Sequence, residues 1–192
     1  RKSGSTHTSF FLGGTSEDSG FLDTSLSGAF SEQSQANTSF TGLSSYGWLS
    51  NNWSYNALGT IASTRLDIKG AGLLSDLDQV TSTSFAFEIS RALGLNQKDS
   101  FHIGVSQPLR VETGKGSIMI PQLNDNNGNL KFVERSFDLS PSGRQVDLNI
   151  GYQAFLNETV DFGLQFSFSE NYGHVKSDNL VNSLFASLKV DF

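Results

Sequence analysis

VDFGLQFSFS, residues 160–169, is the stretch on which the fold turns. Val160, Phe162, Leu164, Phe166 and Phe168 alternate with Asp161, Gly163, Gln165, Ser167 and Ser169. Successive side chains of an extended chain point to opposite faces, so this spacing puts five large apolar groups on one side and small or polar groups on the other. The segment also has the length of a strand that crosses a bilayer at a tilt.

The same period continues on both sides of it. Towards the C-terminus Leu184, Ala186, Leu188, Val190 and Phe192 share one face, and Phe185, Ser187, Lys189 and Asp191 the other. Before it, Val146, Leu148, Ile150 and Tyr152 alternate with Gln145, Asp147, Asn149, Gly151 and Gln153. Further upstream Phe101, Ile103, Val105, Leu109 and Val111 oppose His102, Gly104, Ser106, Arg110 and Glu112, and Pro108 predicts a bend or bulge because it cannot donate to the ladder. Phe85, Phe87, Ile89 and Leu93 alternate with Ser84, Ala86, Glu88, Ser90 and Ala92. Arg91 falls in the apolar register near that strand's end, where a long cationic side chain snorkels to an interface. In the first third, residues 9–13, 22–30, 39–49 and 54–68 are strand candidates between Ser, Asn, Gly and Asp clusters. With residues 132–139 the tally is about ten strands.

Composition agrees with an all-β chain. Of 192 residues only 17% are charged and 3 are Pro, whereas 19 are Gly and 16 are Phe, which favours strands and turns over helices. Length and composition fit one domain over residues 1–192. A net charge of -6 argues against nucleic acid as a partner, since phosphate binding needs an excess of Lys and Arg. Without cysteine there are no disulfides, thiolate metal sites or Cys nucleophiles. No apolar run is long enough for a transmembrane helix, a statement that leaves a barrel open. The chain starts at Arg1 without a signal-like segment, so a fragment of a longer exported protein is expected.

The reading that follows is an antiparallel transmembrane β-barrel. Val160, Phe162, Leu164, Phe166, Phe168, Val146, Leu148 and Ile150 are expected to face lipid, and Glu88, Arg110, Glu112 and Asp147 to be lumenal charges that brace the barrel or line a channel. Tyr46, Trp48, Trp53, Tyr55, Tyr152 and Tyr172 fall near strand ends, as an aromatic girdle would. Asn157-Glu158 reads as a short periplasmic turn, and residues 170–179 and 124–129 as long polar loops, the former extracellular. A soluble sandwich or small barrel alternates equally, and it would use Trp48, Trp53 and Tyr55 to bind carbohydrate or protein. A stand-alone porin or structural barrel is a further alternative.

A resemblance appears in SQPLRVETGKGSIMIP (residues 106–121) and SPSGRQVDLNIGY (140–152), preceded by SFAFEISRALG (84–94) and followed by SLFASLKVDF (183–192). These segments resemble the C-terminal barrel of autotransporter-type exported bacterial subtilisin-like serine peptidases, over about the second half of the chain. The likeness implies an outer-membrane translocator or anchor for an N-terminal passenger, usually with twelve strands and a lumenal helix. The tally of ten would then be part of a twelve-stranded barrel, or a smaller one. The terminal strand, with Leu184, Leu188, Val190 and Phe192, looks like the signal recognised by the barrel-assembly machinery. Expected partners are therefore outer-membrane lipid, that machinery and the passenger.

Nothing in the sequence calls for catalysis, a cofactor or a metal in this chain. His7, His102 and His174 lie outside any nucleophile motif and read as solvated or lumenal. The GKGS segment lacks the remaining phosphate-loop residues, and the NDNNGN loop has one carboxylate where calcium sites draw several.

Overall fold

A computed structural model describes residues 5–18, 20–21, 24–25, 33–69, 73–94, 99–123, 130–157 and 159–190. Strands make up 80% of it, and no α-helix occurs among the described residues. Eight strands form one antiparallel sheet: β1 (Thr6–Asp18), β4 (Gln33–Ser50), β5 (Trp53–Lys69), β7 (Val80–Ala92), β8 (Ser100–Thr113), β11 (Val146–Phe155), β12 (Val160–Glu170) and β13 (Val181–Val190), in that order. A second sheet pairs β10 (Leu130–Asp138), β9 (Lys115–Leu123) and β6 (Leu74–Leu77), and β2 (Gly20–Phe21) pairs with β3 (Thr24–Ser25).

The tally of ten strands in one barrel thus resolves differently. Eight belong to the large sheet, and of residues 132–139 all but the last lie in β10, paired with β9 instead. Residues 22–30 lie almost wholly outside the described ones. Among the described residues no ladder joins β1 to β13 and no closed barrel is found; the two strands are the outer members of the sheet.

Connections are unequal at the two ends. β4 and β5 are joined by Asn51-Asn52, and β11 and β12 across Asn157, whose side-chain oxygen accepts from the Thr159 N–H at 2.9 Å and its hydroxyl at 3.0 Å. An Asn closing its own turn this way needs few residues. At the opposite end β8 and β11 are separated by residues 114–145, which carry the β9–β10 hairpin, and β12 and β13 by residues 171–180.

The buried apolar cluster sits at this long-loop end. Ala36 and Leu66 are paired across β4 and β5, and Leu74, Leu77 and Val80 complete the cluster, with Val111, Ile118 and Leu139 packed against it. These residues weld the second sheet onto the first. Each fully buried Leu or Val stabilises by roughly 1.5–3 kcal/mol, which fixes β6 against the large sheet, and the β9–β10 hairpin is held there through its pairing with β6 and the contact of Ile118.

Candidate functional site

Residues directly opposed in an antiparallel pair share a face, so the register sorts the eight strands into two surfaces. One row runs Thr6, Gly47, Tyr55, Ile89, Ile103, Ile150, Phe166, Leu184. The adjacent row on the other face reads His7, Tyr46, Asn56, Glu88, Gly104, Asn149, Ser167, Ser183. The first surface is apolar and the second largely polar.

The apolar surface is uncovered. Phe10 is 65% exposed, Leu43 56%, Phe87 41%, Leu148 40%, Phe166 41% and Leu188 65%. Val146, Ile150, Val160, Phe162 and Leu164 are half-buried on the same face, and Phe168 is exposed.

This apolar band does not follow the hydrogen-bonded rows. The row through Phe166, in the middle of the band on β12, meets β1 at Thr6, four positions before its apolar Phe10 (10 − 6 = 4). The row through Leu12 runs by Thr41, Ile61 and Thr83 to Arg110, which lies beyond the band on β8.

The expected lumenal charges separate. Glu88 and Asp147 lie on the polar face, in adjacent rows. Glu88 accepts from the Ser90 hydroxyl at 3.1 Å, and Asp147 from the Gln145 amide at 2.8 Å. Arg110 is carried onto the other face by the register shift between Thr83 and Phe85, so it opposes Thr83. The bend expected at Pro108 falls within this irregular stretch, where one strand carries an extra residue and the alternation slips.

Arg110 and Glu112 instead build a polar clamp at the long-loop end. Arg110 Nη1 and Arg144 Nη2 meet Glu112 Oε2 at 2.6 and 2.7 Å, and the Thr83 hydroxyl donates to Glu112 Oε1 at 2.7 Å. Arg144 also donates to Gln107, a fully buried side chain. Arg110 Nε and Nη2 donate to the Gly143 and Pro141 carbonyls at 3.0 and 3.1 Å, holding the linker to β11. The Asp138 carboxyl, beside the same linker, is held below its ordinary pKa by the Ser140 N–H and hydroxyl.

His174 completes the clamp. Its Nδ1 accepts from the Gln145 N–H at 3.0 Å, and its Nε2 lies 3.1 Å from the Leu109 carbonyl, so Nε2 is the ring nitrogen placed to donate. Asn171 and His174 hold φ of 50° and 59°, in the left-handed region that Asn and His enter more readily than most non-glycine residues. His7 stacks on Tyr46 at 5.0 Å, and His102 lies over Gly151. The three histidines are thus dispersed, and the described residues contain no group of three or more potential metal ligands.

The aromatic residues also divide. Trp53, Tyr55 and Tyr152 lie on the apolar face near the short turns, whereas Tyr46 and Trp48 lie on the polar face and Tyr172 in a loop at the other end. Trp48, Trp53 and Tyr55 therefore form no single platform. On the polar face His7, Tyr46, Trp48, Asn56 and Glu88 line an open cleft of about 500 Å³, and His102, Asp161, Gln165, Phe185 and Lys189 line another of about 310 Å³. Among the described residues no helix is long and apolar enough to cross a membrane, which says nothing of a β-barrel. Comparison with protein-family models, curated proteins and solved structures gives no match.

Proposed function

We propose that this chain is an outer-membrane β-barrel that serves as translocator or anchor for an N-terminal secreted passenger. The observation that carries the reading is the exposed apolar band on one face of the eight-stranded sheet, running aslant of the rows, with polar side chains on the other face. Water disfavours so large a continuous apolar surface, and a hydrocarbon layer accepts it. Unequal connections support the same arrangement: short turns would face the periplasm and the β9–β10 hairpin and residues 171–180 the outside.

Lipid then contacts Val146, Leu148, Ile150, Val160, Phe162, Leu164, Phe166 and Phe168, while Glu88 and Asp147 turn to the lumen. The sequence resemblance implies twelve strands; the eight-stranded sheet leaves four to complete such a barrel (12 − 8 = 4). Leu184, Leu188 and Val190 are exposed on β13, where the assembly machinery would read them, and Phe192 lies outside the described residues.

Refolding the chain into detergent and into phosphatidylcholine vesicles tests the reading. The expected result is detergent-dependent solubility and gel mobility that changes on heating. A monodisperse particle soluble without detergent would overturn it.

A further inference from the structure

Building on the membrane reading above, we infer that Arg91 and Trp53 form a binding site for the headgroup phosphate of an anionic phospholipid. The two residues are directly opposed on β7 and β5, and the Arg91 guanidinium carbon lies 5.2 Å from the Trp53 ring centroid. Their row continues through Phe101 on β8 and Tyr152 on β11. Arg91 is the one cation in this row, at the short-turn margin of the apolar band, with Ile89, Phe87 and Phe85 above it on the same strand.

A guanidinium spread over an indole ring commits one flat face to the aromatic quadrupole and leaves its N–H edge available. Among the described residues no carboxylate lies within ion-pairing distance of Arg91. That edge matches two oxygens of a phosphate. Tryptophan is favoured at the boundary between hydrocarbon and water, which is where a headgroup lies. The apolar residues above Arg91 identify the ligand as a lipid: acyl chains cover Ile89 and Phe87 while the phosphate meets the guanidinium, and free phosphate covers nothing.

The chain has two tryptophans, so Trp48→Phe leaves Trp53 as the sole indole emitter. This variant is reconstituted into phosphatidylcholine vesicles containing equal amounts of brominated phosphatidylglycerol or brominated phosphatidylcholine. The expected result is that the brominated anionic lipid quenches Trp53 with about fivefold higher apparent affinity, a preference retained in part by Arg91→Lys and abolished by Arg91→Gln. If the Gln variant fails to insert, the preference of the Trp48→Phe protein at low against high salt decides, since a phosphate contact weakens with salt. Equal quenching by both brominated lipids, unchanged by substitution or salt, overturns the headgroup site and leaves the membrane reading standing. Emission insensitive to both lipids but quenched by aqueous iodide overturns the membrane reading itself. An emission change on adding inorganic phosphate in nonionic micelles, equal to that with lipid, overturns the lipid assignment in favour of a free-phosphate site.

Discussion

Phe40 on β4 stands directly across from Gly13 on β1, and its ring Cζ is 2.5 Å from where a Cβ on residue 13 would lie. The same fit recurs between Phe11 and Gly42 on the same strands, between Phe137 and Gly116 in the second sheet, and between His102 and Gly151 on β8 and β11. In each pair a flat ring covers the bare backbone opposite, restoring contacts that a strand glycine forfeits.

Gly13→Val is therefore expected to destabilise the sheet by roughly 1–3 kcal/mol, because the ring has to leave its slot. Phe40→Ala combined with Gly13→Val is expected to lose less than the sum of the two single changes. Denaturant midpoints in detergent, arranged as a double-mutant cycle, measure the coupling. Strict additivity would mean that the ring and the glycine do not share the space.

Charge placed on the two faces of β12 separates them. Phe166→Arg, in the middle of the apolar band, is expected to cost about 2–4 kcal/mol of folding free energy in a bilayer, while Gln165→Arg, one residue away on the polar face, changes it little. The folded fraction in phosphatidylcholine vesicles, read from the heat-modifiable band, checks this. Equal losses would contradict the assignment of faces.

Glu112→Gln is expected to cost roughly 1 kcal/mol at neutral pH, as an exchange of charge-assisted for neutral hydrogen bonds at a partly exposed site. Denaturant midpoints of the two proteins in detergent test this, and equal midpoints would remove Glu112 from the clamp.

Gly143 lies against the Lys176 backbone, with the Lys176 nitrogen 2.7 Å from where a Cβ would be. Its N–H donates to the His174 carbonyl at 2.8 Å. Gly143→Ala is expected to push the 171–176 segment away from the β11 linker and open the Gln145–His174 bond. Amide hydrogen exchange at Gln145 should accelerate, while amides in the middle of β11 keep their protection. Unchanged exchange at Gln145 would show that the segment absorbs the extra methyl.

Strands β11 and β12 were legible in the sequence because Val146–Tyr152 and Val160–Phe168 alternate without interruption, so face and period are fixed together. The N-terminal third was less legible for a reason visible in Phe10 and Phe11. Phe10 belongs to the apolar band, and Phe11 covers Gly42 on the opposite face, so aromatic residues on both faces mask the alternation. Arg110 was misplaced because a bulge adds a residue to one strand only, and Pro108 announced a disturbance without giving its size. The His174 clamp could not be read at all, since it depends on two loops meeting across 29 residues of sequence.

Each strand of the large sheet reverses the one before it, and their number is even. β1 and β13 therefore run in opposite senses, and Thr6 and Val190 lie at the same rim, the one that holds Arg91. Parity then restricts how this sheet can be closed into a cylinder with every junction antiparallel: it admits direct β1–β13 contact or an even number of interposed strands. An odd number would force a parallel seam.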